Sequence, residues 1–255
     1  MNTWTVFDLE YTELVQNPLQ STIHISCASV YSSHDAWPQV WYEQCTSTNN
    51  TEFPGNYMSE VTLEAFVDHL DYCSKISKIV SWGGSASDWK LLYKECPSKR
   101  QLIKQLALQS IDIPLCSFMS IGQMMGLKSA CSAIGLTLKE ESDSSDVVFY
   151  WKLCACCASK PSIELPCKAC IESRKKVIQH VSNDSYGTYT VLLGAIQNGA
   201  LPWITKKNQL KTWSPLQLCT VAQCLQKEVP KVPWIIDPSQ NAKLLARWLI
   251  FEIMN

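Results

Sequence analysis

The first patterned stretch of the chain, Thr5-Val6-Phe7-Asp8-Leu9-Glu10-Tyr11, alternates apolar and acidic residues. That alternation confines it to a half-buried β-strand. Side chains on a strand project to opposite faces in turn, so Asp8 and Glu10 share one face while Phe7 and Leu9 enter a core on the other. Two neighbouring carboxylates on a half-buried surface raise each other's pKa and cost stability unless something positive stands between them. Divalent Mg²⁺ or Mn²⁺ prefers oxygen ligands, and a pair of such ions clamps the attacking and leaving oxygens of a phosphoryl transfer. An edge strand with solvated acids has the same pattern, so the metal reading requires more acids elsewhere.

The segments that follow predict an α/β fold. Ser21 to Tyr31 and Pro38 to Cys45 are rich in β-branched and aromatic residues and flank a turn-like Ser32-Ser33-His34-Asp35, which together with the first strand predicts an antiparallel meander. Ser59 reads as the cap of a helix through about Ser74, Lys78 to Trp82 as a short buried strand ended by Gly83-Gly84, and a helix begins near Ser87. A helix over Lys99 to Ser110, a strand around Ile111 to Ile113, and short helices over Ser117 to Met125 and Lys128 to Ile134 come next. Glu140 to Asp146 reads as a polar loop. A helix from Ser182 or Asp184 to Ile196 and two closing helices, Ser214 to Gln226 and Pro238 to Met254, complete the pattern, in which helices cover a central sheet. The expected division is a main domain over residues 1–200 and a helical extension over 201–255 packed on it.

Composition narrows the partners. With 255 residues, 46% of them hydrophobic, the chain can bury a sizeable core. A net charge of −1 provides no general basic field, so any nucleic acid must be held by local patches or by metals. No signal-peptide pattern or long apolar run is present, so the expectation is an intracellular, cytoplasmic or nuclear protein without membrane contact.

In such a compartment thiols stay reduced, and clustered cysteines point to metal rather than to disulfides. Thirteen cysteines are present. Cys154-Ala155-Cys156-Cys157 and Cys167-Lys168-Ala169-Cys170 form two Cys-x-x-Cys knuckles whose four thiolates, Cys154, Cys157, Cys167 and Cys170, complete the tetrahedral shell of a structural Zn²⁺. Cys156 is left over, with Cys157 as its alternative in register. Four protein ligands leave no open position, so this zinc braces a loop rather than catalyses. The remaining cysteines, among them Cys116, Cys131, Cys219 and Cys224, read as small core residues.

Two further acids stand at helix starts. Asp88, in Trp82-Gly83-Gly84-Ser85-Ala86-Ser87-Asp88, follows a core strand, and Asp184 follows His180 by four residues. Each suits the positive end of a helix or a metal. In this order and at these distances the chain resembles the DEDD 3′-to-5′ exonuclease superfamily, with its ribonuclease-H-like fold. The likeness spans roughly residues 4–200: Phe7 to Glu10 matches the first motif, Trp82 to Leu92 the second, and His180 to Leu193 the third. A zinc knuckle between the second and third motifs is similar to the proofreading exonucleases of nidoviruses, which points to a viral origin. The resemblance implies that Asp8, Glu10, Asp88 and Asp184 hold two Mg²⁺ or Mn²⁺ ions, with His180 as general base and a nucleoside 5′-monophosphate as product. One departure concerns His180: the family's histidine usually stands five positions before the last aspartate, and four is the spacing of the tyrosine in its sister branch. Tyr186 is the alternative base.

Arg174-Lys175-Lys176, just before the third motif, is the basic run best placed for phosphates. Lys206-Lys207 with Lys211 and Lys99-Arg100 with Lys104 are others. An exposed Trp37, Trp203 or Trp213 would stack a terminal base. The expected partner is the 3′ end of DNA or RNA, with a protein partner through the zinc insert or the C-terminal helices as a further expectation. The reading of a different class is a non-catalytic binding module on the same fold.

Overall fold

In the computed structural model, which describes residues 3–17, 20–43, 56–58, 60–138, 151, 167–233 and 246–251, the alternating stretch becomes strand β1 (Trp4–Asn17). It pairs antiparallel with β2 (Gln20–Ser32), and β2 with β3 (Gln39–Glu43), which is the expected meander. A strand the sequence reading lacked, β4 (Asn56–Met58), lies parallel to β3 at the outer edge. On the other side of β1 run β5 (Lys78–Ser81) and β6 (Ile111–Asp112), both parallel to it in sequence. The resulting order, β4-β3-β2-β1-β5-β6, is a mixed α/β sheet flanked by helices, with parallel strands reached by helical crossovers.

Those crossovers are α1 (Glu60–Ile76), leading into β5, and then α2 (Asp88–Glu95) and α3 (Arg100–Gln109), leading into β6. Period-2 alternation decides what each face of the sheet meets. Phe7 packs edge-on against Trp89 of α2 at 4.6 Å between ring centres, and Trp41 against Phe66 of α1 at 5.6 Å. On the opposite face Cys27, Val40 and Tyr42 form a second apolar cluster with Trp151, Val177 and Val181. Helices α4 (Ile113–Ile121) and α5 (Leu127–Ala133) follow β6.

The largest correction concerns the third motif. The helix expected to begin at Ser182 or Asp184 instead runs from Lys168 to Asn198, 31 residues, as α6. Nothing in that span forces a break: no proline occurs, and Cys170, Arg174, Val177 and Val181 recur at helical spacing on the buried stripe. Of its two glycines, Gly187 is a packing residue. A Cβ there would lie 3.0 Å from a Leu138 methyl and 3.2 Å from the Cys131 sulfur, so its absence lets α5 and the segment after it approach.

The C-terminal region is also less helical than expected. An antiparallel hairpin, β7 (Leu201–Ile204) and β8 (Leu210–Trp213), precedes α7 (Val221–Gln226) and α8 (Trp248–Phe251). Leu201 and Trp203 point inward in alternation, and Trp213 is buried across from Leu201. Thr220 starts α7 with a reciprocal capping box to Gln223, so that helix begins seven residues later than the Ser214 expected. These elements join the same apolar core as the sheet. Among the described residues no helix is long and apolar enough to cross a membrane. Ser59, Cys154, Cys156, Cys157, the polar loop 140–146 and most of the second closing helix lie outside the described residues.

Candidate active site

Asp8 and Glu10 project from β1 towards α6, flanked on β2 by their register partners Ser29 and Cys27. The pairing slips between Glu10 and Tyr11, where Ser26 of β2 has no partner. Such a bulge bends the ladder locally and re-aims the residues beside it. Its loose ends are tied: the Ser26 hydroxyl donates to the Glu10 carbonyl at 3.0 Å, and the Ile25 N–H donates to the Glu95 carboxylate at 3.1 Å. Glu95 in turn holds His24 at 2.8 Å. Glu10 therefore sits beside a bulge in the strand pairing.

Asp88 reaches the same pocket from the start of α2. Gly83 has φ +85, which glycine adopts without strain, and Gly84 follows where no side chain fits: a Cβ would lie 2.6 Å from the Ser81 hydroxyl and 3.1 Å from an Asp88 carboxylate oxygen. The turn is anchored by Asp112, read from sequence only as part of a short strand. Its carboxylate accepts from the backbone N–H of Gly83 (3.3 Å) and Ser85 (2.9 Å), from the Ser85 hydroxyl, and from Leu115 N–H at 3.1 Å as cap of α4. The signal available in the sequence was Asp112 followed by Pro114 at a helix start. From the other side the Trp248 indole donates to the Ser85 carbonyl at 2.8 Å.

His180 and Asp184 lie within α6, four residues apart on one face. The helix is continuous through both positions, and an α-helix stacks residues i and i+4. His180 is buried, with Nε2 3.4 Å from a Glu10 oxygen and 3.8 Å from an Asp184 oxygen. Glu10, His180 and Asp184 each offer a donor atom within 4.8 Å of the others. At the next residue, the hydroxyls of Ser185 and Ser29 lie 2.7 Å apart and lock α6 onto β2 beside Asp8. Tyr186 is partly exposed, stacked at 5.7 Å against Tyr31.

Electrostatics show how closely the acids approach. Burial pushes the Asp8 carboxyl well above the usual carboxylate range, and Asp184, Asp88 and Glu10 add repulsion. Glu10 is raised in the same way, by burial and then by Asp184 and Asp88. Asp88 is pushed up to about 7 by burial, with the Ser87 hydroxyl opposing and Asp112 contributing. One oxygen of Asp8 is buried and accepts no hydrogen bond. Buried carboxylates are ordinarily paired or bound to metal. Four carboxylates converging from β1, α2 and α6, with an imidazole beside them, fit a hard divalent cation.

The basic run behaves differently from expectation. Three consecutive residues on a helix fan out around it, so Arg174, Lys175 and Lys176 do not form one exposed patch. Arg174 is buried, its guanidinium 5.1 Å over the Trp151 ring and its Nε donating to the Trp151 carbonyl at 3.3 Å. Lys175 pairs with Glu172 at 3.2 Å on the surface. Of the three tryptophans proposed to stack a base, Trp203 and Trp213 are core residues and Trp37 is exposed. A feature missed from sequence lies beside Asp88: a groove of about 490 Å³ lined by Tyr11, Lys90, Tyr93, Lys94, Arg100 and Trp248. Lys90 and Lys94 share one face of α2 by their i, i+4 spacing, which was the legible signal. Of the expected zinc ligands, Cys167 caps the start of α6 and its sulfur lies 3.7 Å from that of Cys170. Two thiolates on one tetrahedral zinc, with Zn–S near 2.3 Å, stand roughly 3.8 Å apart.

No family model matches the chain, and no curated protein matches it in sequence. Solved structures with a similar course of the backbone include the family B DNA polymerase from the hyperthermophilic archaeon Pyrobaculum calidifontis, with a TM-score of 0.45 and 14% identity over 76% of this chain. The chain spans 25% of that polymerase. Another is a 3′-exonuclease recognising the 3′ end of the histone mRNA stem-loop, with a TM-score of 0.42 and 11% identity over 86% of this chain and 94% of that one.

Proposed function

We propose that the chain is a metal-dependent 3′-to-5′ exonuclease of the DEDD type, cleaving DNA or RNA to nucleoside 5′-monophosphates. The observation that carries this reading is the convergence of Asp8, Glu10, Asp88, Asp184 and His180, with Glu10, Asp88 and His180 buried and one buried Asp8 oxygen lacking any hydrogen bond. Asp8, Glu10, Asp88 and Asp184 would hold two Mg²⁺ or Mn²⁺ ions, which supply charge neutralisation to the attacking and leaving oxygens of a phosphodiester. His180 accepts the proton of the attacking water at Nε2, the nitrogen that faces Glu10 and Asp184. Those two carboxylates stabilise the charged form of the ring electrostatically. The terminal nucleotide leaves as a 5′-monophosphate and the shortened strand keeps a 3′ hydroxyl.

The groove beside Asp88 is suited to the 3′ end of the strand: Lys90 and Lys94 meet phosphates, and Tyr93 and Trp248, 5.4 Å apart, present rings to a base. Zinc on Cys154, Cys157, Cys167 and Cys170 would brace the start of α6, and so the helix that delivers His180 and Asp184. A knuckle in this position favours the branch that includes the nidoviral proofreading enzymes.

The test is digestion of 3′- and 5′-labelled DNA and RNA oligonucleotides, single- and double-stranded, with Mg²⁺ or Mn²⁺. Stepwise release of 5′-mononucleotides from the 3′ end, lost in Asp8→Ala while the circular dichroism spectrum is kept, is the expected result. Binding without cleavage under every condition refutes the enzyme and leaves the non-catalytic binding module.

A further inference from the structure

Three cysteines read from sequence as separate core residues meet at one point. The Cys224 sulfur lies 3.7 Å from that of Cys116 and 3.5 Å from that of Cys219, and all three fall within 4.8 Å of one another. Cys116 comes from α4, whereas Cys219 and Cys224 flank the first turn of α7, more than a hundred residues later. We propose that Cys116, Cys219 and Cys224 form a second thiolate site for zinc, separate from the knuckle at the start of α6.

The geometry and the charges both suit that ion. Separations of 3.5–3.7 Å are close to the roughly 3.8 Å expected for thiolates on a common tetrahedral zinc. Cys219 stands just before the Thr220 cap and Cys224 in the first full turn, positions where two apolar side chains ordinarily staple a helix entrance. Here the staple is two sulfurs, and a third meets them from another helix. Three thiolates on a divalent ion leave one negative charge, and the Lys227 ammonium lies 3.3 Å from the Cys219 sulfur to offset it. Cys116 and Cys224 are buried and Cys219 is half-buried, so the fourth ligand is a water on the Cys219 side.

Such a site has a structural consequence for the acids. Cys116 lies one helical turn beyond Asp112, the cap of α4 that also holds the Gly83–Ser85 turn before Asp88. The Val221 N–H already ties α7 to the end of α3 through the Ser110 carbonyl at 2.8 Å. Zinc there fastens the C-terminal segment to the element under the second motif. The proposal does not depend on the exonuclease reading.

The experiment is metal analysis of the full-length chain alongside Cys219→Ser/Cys224→Ala and Cys167→Ser/Cys170→Ser. Each pair is expected to lower zinc content by about one ion per chain, independently of the other. Unchanged zinc in a folded Cys219→Ser/Cys224→Ala protein overturns the proposal, as does a Cys219–Cys224 disulfide found by mass spectrometry. A second measurement uses the wild-type chain alone. Alkylation mapped by mass spectrometry should spare Cys219 in the zinc-loaded protein and modify it after chelation, and equal labelling in both states refutes the site.

Discussion

Replacing Asp88 by asparagine should stabilise the protein when Mg²⁺ is absent and the pH is high. The Asp88 carboxyl titrates near 7 rather than at its ordinary 3.8, chiefly because it is buried. A folded-state pKa above the unfolded value means that the folded state holds the proton more tightly. The contribution to stability is then complete below about 4 and is lost as the pH rises through 7. A gap of this size corresponds to on the order of 4 kcal/mol once the group is fully ionised. Asparagine keeps the shape and cannot ionise, so Asp88→Asn should recover part of that cost, roughly 1–3 kcal/mol after losses in hydrogen bonding. For a chain of this size that is a rise in Tm on the order of 3–10 °C at pH 8. At pH 4 the substitution should be neutral or slightly destabilising. The assay is thermal unfolding of both proteins in magnesium-free buffer across pH 4–8. Taking the difference between variant and wild type at each pH cancels titrations elsewhere in the chain. Adding Mg²⁺ should reverse the ranking, because a ligand at a hundredfold over its Kd stabilises the wild type by about 2.7 kcal/mol. A difference in Tm that does not change with pH, or an Asp88→Asn protein less stable than wild type at pH 8 without Mg²⁺, refutes the claim that burial holds the Asp88 carboxyl near 7.

Gly84→Ala places a Cβ against Ser81 and the Asp88 carboxylate. It should lower nuclease turnover by about a hundredfold through displacement of one ligand and cost about 1–3 kcal/mol in urea unfolding. His180→Ala should reduce the single-turnover rate by about 10²–10⁴ while Mn²⁺ binding measured by calorimetry is kept, and a smaller loss of rate excludes it as the base. Lys90→Ala/Lys94→Ala should flatten the dependence of oligonucleotide affinity on salt by roughly 1.4 in the logarithmic slope, read by fluorescence anisotropy, and an unchanged slope places the strand elsewhere. Arg174→Ala should lower Tm and leave that slope unchanged, because its guanidinium faces Trp151 rather than solvent.

Several parts of the site were legible because they depend on local periodicity. Asp8 and Glu10 share a face because a strand has a period of two, and Asp88 begins a helix because a glycine pair and serines precede it. The order of these acids along the chain pointed to the sheet they occupy. Asp112 escaped notice because its role is to bind a loop 27 residues earlier, which no spacing rule announces. The length of α6 escaped because Asn183-Asp184 resembles a helix cap, and only the sheet and α5 packed against both halves show that the helix continues through it. Arg174 read as a phosphate ligand because charge is visible in a sequence and direction around a helix is visible only once the buried side is known.

What the amino-acid order determined by itself is most of the strands and helices from β1 to β6 and the order of the four acids along the chain. Both follow from patterns a few residues long. Which groups meet was decided by tertiary structure alone: His180 at Glu10, Asp112 under Asp88, Cys116 against Cys219 and Cys224. Each of these contacts joins elements distant along the chain, and their separation is set by how the helices pack on the sheet, a quantity that depends on the whole core at once.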